Sequence, residues 1–261
     1  MKKTIFLIAL GISGFLFSQE KLIIEYETKM LMDEDAIQKI ADEIKVRAEG
    51  AAVNQQQMAR MIAESMTKPT YYQLRLTPNE SEYKMVETIE NSQPNEGGVM
   101  VKVISGISGV IYKNLAENLV VKSQNTFDKD FLIVDSIKTI DWKISRESTE
   151  ILGYEVRKAE AVISDKISVE AWYAPKLQFK NGPDNFQGLP GLILEVLQTN
   201  TDEDGETKFV HKAISLDFDK DKSDIKRPSK GKKVSREELD EFIKIQSEKI
   251  KDMYGGGVDA D

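Results

Sequence analysis

The sequence predicts an α+β protein: predominantly an antiparallel β meander, with a long inserted helix near the N-terminus and a C-terminal helix. Three observations carry this expectation. Most of the chain alternates apolar and polar residues with period two between short turn-forming segments. Residues 37–66 switch to the 3-and-4 spacing of an amphipathic helix. Near the end, Ser235-Arg236-Glu237-Glu238 forms a capping box ahead of a second helical stripe.

The chain opens with the three zones of a secretory signal peptide. Lys2 and Lys3 give the positive start, and Ile5 to Phe17 form an apolar run. Ser18 supplies the small residue before Gln19-Glu20. The run is about 13 residues, short of the roughly 20 needed to span a bilayer. Cleavage near Ser18 is therefore expected, with an extracytoplasmic mature chain, periplasmic or associated with an outer membrane. No later stretch reads as a transmembrane segment.

Leu22 to Met32 reads as a strand, with Leu22, Ile24, Tyr26 and Thr28 on one face. Ile37, Ile40, Ala41, Ile44, Ala48, Met58, Met61, Ile62 and Met66 then mark a helix from about Asp35 to Ser65. Such a helix is roughly 45 Å long. Asp33 or Asp35 caps its start, Pro69 closes it, and Gly50 is the place for a kink or a division into two.

From Thr70 the pattern is β again. Tyr71–Leu76 and Glu82–Glu87 flank the turn residues Thr77 to Ser81. Strands are expected at Val99–Ser105, Gly109–Lys113, Leu119–Lys122, Phe131–Val134, Ile140–Ile144, Glu150–Ser164 and Lys166–Tyr173. Gly188–Gln198 is expected to pair with Thr207–Ile214 across Asp204-Gly205. Leu239, Phe242, Ile243, Gln246, Ile250 and Met253 supply the final helical stripe, which stops at Gly255-Gly256-Gly257. The expected organisation is a signal peptide at 1–18 and an antiparallel β domain at 19–216 with the helical insertion at about 35–66. A charged linker at 217–233 and a C-terminal helix and tail at 234–261 follow.

Composition narrows the function. The net charge is −8, and losing Lys2 and Lys3 with the leader takes it to −10. An acidic chain repels phosphate backbones, so nucleic acid is not an expected partner. There is no cysteine, so an exported chain must be stabilised by packing rather than disulfides. The single histidine, His211, falls in a predicted strand. Gly106-Ile107-Ser108-Gly109 has Val110 where a nucleophile elbow needs its second glycine. Asp217-Phe218-Asp219-Lys220-Asp221 begins like a calcium loop, but Lys222 and Pro228 stand where that loop needs glycine and glutamate. It reads as a solvated turn; Met58, Met61 and Met66 read as helix packing rather than copper ligands. No metal, cofactor or catalytic residue is assigned. An enzyme ranks below two other classes.

Six motifs stand in order between Tyr112 and Leu197: Asp141-Trp142-Lys143, Ile151-Leu152-Gly153-Tyr154, Lys158-Ala159, Ala171-Trp172-Tyr173, Gly182-Pro183 and Gly188-Leu189-Pro190-Gly191-Leu192-Ile193. Tyr112-Lys113-Asn114-Leu115 precedes them. This segment resembles the GLPGLI family. The resemblance implies an exported, mostly β envelope protein of outer-membraned bacteria with no established activity, often encoded beside outer-membrane transport receptors. It also implies a shape similar to half-barrel carriers, a curved sheet or half-barrel. One departure is Val156, where the family often has cysteine, which removes any thiol role.

Nothing in the hexapeptide is an acid, base or nucleophile. Gly188 and Gly191 permit unusual backbone angles or close approach, and Pro190 fixes the bend between them. Leu192 and Ile193 complete a structural motif that reads first as a buried corner. As a ligand site it would be a rigid lip beside a concave sheet face, with Trp172, Tyr173, Phe186, Leu189 and Pro190 as contacts. The leading expectation is a non-catalytic envelope protein that binds an apolar ligand or a protein segment on a curved sheet. The alternative is an assembly protein that docks its long helix on an outer-membrane transport protein.

Overall fold

The computed structural model describes residues 21–47, 54–86, 109–202, 205–219 and 224–255. The leader, Gly50, the polar loop at 91–98, the strand expected at Val99–Ser105, Ser108 and the tail after Gly255 lie outside the described residues. Strand β1 (Lys21–Leu31) leads into helices α1 (Glu34–Arg47) and α2 (Gln55–Thr67). Strands β2 (Thr70–Leu76), β3 (Glu80–Met85), β4 (Gly109–Asn114), β5 (Leu119–Thr126) and β6 (Lys129–Ser136) follow. Then come β7 (Lys143–Ile151), β8 (Tyr154–Ser164), β9 (Ile167–Ala174), β10 (Leu192–Asp202), β11 (Gly205–Asp219), β12 (Lys232–Val234) and α3 (Arg236–Gly255). This is the α+β fold expected.

All twelve strands among the described residues belong to one open sheet in the order β12-β6-β5-β4-β3-β2-β1-β11-β10-β9-β8-β7. Two antiparallel meanders share β1. One runs outward from β2 to β6, and the other returns from the far edge, β7 to β11, to pair with β1. Only β12, parallel to β6, breaks the antiparallel rule.

The short crossover from β6 to β7 forces the sheet to roll. β6 and β7 stand ten strand spacings apart, about 48 Å if the sheet were flat. Only residues 137–142 join them, and seven Cα steps reach at most about 25 Å. The two halves must therefore curl toward each other.

The face turned inward is set by register. Leu22, Ile24 and Tyr26 of β1 lie opposite Leu76, Leu74 and Tyr72 of β2. Leu74 lies opposite Tyr83, and Tyr83 opposite Ile111. Partners across strands share a face, so these form one apolar surface, all of it buried. Tyr72 stacks on Tyr83 with centroids 5.0 Å apart, and Tyr26 meets Tyr83 edge-on at 6.2 Å. Phe131 and Ile133 continue the inner face onto β6, where Leu239, Phe242 and Ile243 of α3 cover them.

Several elements differ from expectation for identifiable reasons. The helical insertion is a pair, α1 and α2, packed on each other rather than one long rod. Among its described residues Ala41, Ala59 and Ala63 are buried, small enough for close approach. Asp33 and Asn54 cap the two helices through bonds to the amides of Ala36 (2.9 Å) and Gln57 (3.1 Å). The strand expected at Glu150–Ser164 is two strands, because Leu152 (φ 51°) and Gly153 (φ 79°) make a two-residue turn of the primed hairpin type. Ile140 to Trp142 belong to the crossover, with β7 beginning at Lys143. Strand β10 begins at Leu192, after the hexapeptide's bend rather than within it. The α3 capping box is present in full: Glu238 N donates to Ser235 Oγ (3.1 Å) and Ser235 N to Glu238 Oε2 (2.8 Å).

Candidate functional site: the inner face and its covering segment

Residues 175–191 join β9 to β10 and lie over the inner face. Leu177 and Phe179 pack into the main cluster with Leu22, Ile24, Tyr26, Tyr72, Leu74 and Ile111. Phe186 and Leu189 enter a second cluster with Tyr173, Ala159, Ala171, Ile193 and Val196. The backbone hydrogen bonds of this segment run within it and to the strands it joins. Leu177 N and Phe179 N donate to Ala174 O and Leu177 O, Phe186 N to Pro183 O, and Gly188 N to Lys180 O. Leu192 N and Ile193 N donate back to Leu177 O and Asn181 O.

The segment meets the crossover and β4 through side chains. Trp142 Nε1 donates to Gln187 O (2.9 Å), and Gln187 Nε2 donates to Lys138 O (3.0 Å). Lys113 Nζ donates to Gly182 O (3.3 Å), Phe186 O (3.4 Å) and Gln187 Oε1 (3.4 Å), all long for a charged donor. Apolar side chains and a few polar anchors thus hold an irregular cover over a continuous sheet.

The residues expected to contact ligand separate. Tyr173, Phe186 and Leu189 are buried together at the inner face. Trp172 follows a strand's alternation. Its partners in register are Lys158 and Glu195, and it is half-buried against the main cluster rather than in the second one. Pro190 and Gly188 are exposed at the bend. Gly191 is buried where a Cβ would run into the Ala174 backbone, and Leu192 and Ile193 are buried at the start of β10. Val156, the cysteine position in the resembled family, is buried in the main cluster.

Beneath the cover lies a polar group that the sequence reading did not single out. Lys113 is 1% exposed. Burial pulls its pKa down to about 7, with Asp184 opposing and Lys122 reinforcing the shift. Lys122 is also pulled down, first by burial and then by Arg236 and Lys138, against Asp184 and Asp135. Ser81 Oγ and Asn181 Nδ2 are buried without a hydrogen-bond partner, and the buried Tyr83 hydroxyl faces Thr28. Burial raises the Tyr83 hydroxyl well above its ordinary value, and burial followed by Asp184 raises Tyr72 to about 12. His211 is lowered by burial; its Nδ1 lies 3.0 Å from Thr28 Oγ1, and its ring meets Phe186 edge-on. The available signal for Lys113 was phase: it follows Ile111 by two in a strand, so a lysine occupies an inward position. Asp184, in a loop at φ 46°, carries no such signal.

Among the described residues no group of three or more metal-binding side chains occurs, and no helix is long and apolar enough to cross a membrane.

Residues 160–195, which span the end of β8, all of β9, the covering segment and the start of β10, match a family described as a protein of unknown function, Porph_ging. No curated protein matches the chain. Two crystal forms of PNGF-II share the fold at 16% identity over 86% of this chain, with TM-scores of 0.50 and 0.52. The chain spans about a third of their length, 32% and 33%. A LolA superfamily protein from Nitrosomonas europaea aligns over 78% of this chain and 88% of its own at 10% identity. Its TM-score of 0.29 is too low to establish a common fold.

Proposed function

We propose that this is an exported, non-catalytic envelope protein that binds an apolar ligand against the inner face of its rolled sheet. The supporting observation is the cover. A continuous surface of Leu22, Ile24, Tyr26, Tyr72, Leu74, Tyr83 and Ile111 is overlaid by an irregular segment whose Leu177 and Phe179 stand where a ligand's apolar chain would lie. A ligand takes the place of these side chains as the segment lifts, so apolar burial lost by the loop is regained by the ligand. Tyr173, Phe186 and Leu189 form the adjoining wall. The leader directs export, cleavage falls near Ser18, and the hexapeptide supports kinship with the GLPGLI proteins. The organisation is one β domain carrying the helical insertion, a charged connection and the terminal helix.

Native mass spectrometry of the mature protein purified from its own envelope tests this reading. The expected mass is that of residues 19–261 plus one stoichiometric apolar adduct. A clean apo mass overturns it. One observation favours a second reading, docking on an outer-membrane transport protein through the helical pair: Met58 and Met61 of α2 are 43% and 64% exposed. Crosslinks from α2 to such a protein, together with an apo mass, would favour that reading.

A further inference from the structure

The inner face is not uniformly apolar, and its polar end has a consistent sign. Register puts Ser81 opposite Lys113, and Ile111 opposite Lys122, so both lysines project inward from β4 and β5. Lys113 is fully buried and Lys122 half-buried. Lys138 of the crossover and Arg236 at the start of α3 are exposed, and both act electrostatically on Lys122. Three carboxylates face the group: Asp184 from the covering segment, Asp135 from the end of β6 and Glu237 in the first turn of α3, which acts on Lys138. Four cations therefore face three anions, in a chain whose overall charge is −8. None of the four cations makes an ion pair among the described residues. The arrangement is a graded funnel, with exposed cations at its mouth and a buried one at its base, the geometry that focuses field on an anion.

The base also holds hydrogen-bonding groups with nothing to bond. Ser81 Oγ and Asn181 Nδ2 are inaccessible and unpartnered, and the buried Tyr83 hydroxyl has Thr28 as its one side-chain neighbour for hydrogen bonding. Each can donate, and an unpaired buried polar group costs about 1–3 kcal/mol. Ser81 is the cross-strand partner of Lys113. Asn181 precedes Gly182, whose carbonyl Lys113 contacts.

We propose that Lys113 and Lys122, with Ser81, Tyr83 and Asn181, form an oxyanion site at the polar end of the inner face, which takes the carboxylate head of an apolar-chain ligand. This deepens the binding reading, because the Tyr26–Tyr72–Tyr83 surface adjoining Lys113 receives the chain. A carboxylate accepts several donors at once, relieves the excess positive charge and replaces the long lysine-to-carbonyl contacts with charge-assisted ones. Because those contacts anchor the covering segment, head binding and release of the cover are one event.

The test is calorimetric titration of delipidated mature protein at pH 7 with dodecanoate, dodecanol and acetate. Wild type is compared with Lys113→Met, Lys122→Met and Ser81→Ala, with the fold of each variant checked by circular dichroism. Expected is at least tenfold tighter binding of dodecanoate than of dodecanol, with that margin lost in either lysine variant and reduced in Ser81→Ala. If Lys113→Met does not fold, loss of the margin in Lys122→Met decides. Equal affinity for acid and alcohol overturns the oxyanion site but leaves the apolar-ligand reading standing. Lysine-dependent binding of acetate alone supports the site, identifies a free carboxylate as the source and overturns the apolar-ligand reading. No binding by any probe, or a dodecanoate margin that survives both lysine variants, overturns the site.

Discussion

Replacing Gly191 with alanine is expected to cost on the order of 3 kcal/mol or more, lowering Tm by roughly 10 °C in a domain of this size. A Cβ at that position would overlap the Ala174 carbonyl oxygen, lie 2.7 Å from the Ala174 carbonyl carbon and 2.9 Å from Pro175 Cα. All three are backbone atoms at the root of the covering segment, so no side-chain rotation relieves the clash. Gly188→Ala is the internal control. Its φ of 93° is costly for a residue with a Cβ, but the nearest atom would be Trp142 Nε1 at 4.0 Å. Strain without overlap costs about 1–2 kcal/mol. Thermal unfolding of both variants measures the contrast. Equal losses would show that the hexapeptide's second glycine is not required for close approach.

The second large effect is a pH dependence centred on Lys113. Its folded pKa is lowered to about 7, against about 10.4 in an unfolded chain. Above pH 7 the folded protein releases this proton while the unfolded chain keeps it. The unfolded state then binds more protons, and stability rises with pH. The burial penalty is fully present below the folded pKa and is relieved as pH climbs toward the unfolded value. Between pH 7 and pH 9 the lysine contributes about 2–3 kcal/mol to this rise. Tyr26, Tyr72 and Tyr83, all raised by burial, oppose it only above pH 10, so the window is clear of them. Denaturant titration of wild type against Lys113→Met reads the effect as a difference. Relative to the variant, wild type should gain stability from pH 6.5 to pH 9. Parallel curves would mean that Lys113 stays charged in the folded protein.

Local rules gave the two ends of the fold. Strict alternation in Leu22–Ile24–Tyr26 marks the inner face of β1 because that strand is buried on one side only. The Ser235–Glu238 box marks α3 because capping needs just four residues. Long-range choices left weaker traces. Leu152-Gly153 hides a turn because leucine rarely adopts positive φ, and the energy that holds it there comes from pairing β7 with β8. The α1–α2 pair has the periodicity of one helix, since folding back reuses the same apolar stripe. The hexapeptide reads first as a buried corner, and the close packing of Gly191 on the Ala174 backbone is what the corner requires. Of the candidate site, the apolar wall of Tyr173, Phe186 and Leu189 was legible from composition. The pairing of Lys113 with the 182–187 carbonyls was not, because it joins β4 to a loop some seventy residues later, a separation no local pattern encodes.

The claim on which the rest depends is that residues 175–191 are a removable cover of the apolar face. Amide hydrogen exchange with and without saturating dodecanoate tests it most directly. The account predicts that the amides of Leu177, Phe179 and Phe186 lose protection when dodecanoate binds, while those of β1 and β2 at Tyr26 and Leu74 keep theirs. Unchanged protection across 175–191 in the saturated complex would contradict it, and would make the covering segment a permanent part of the core.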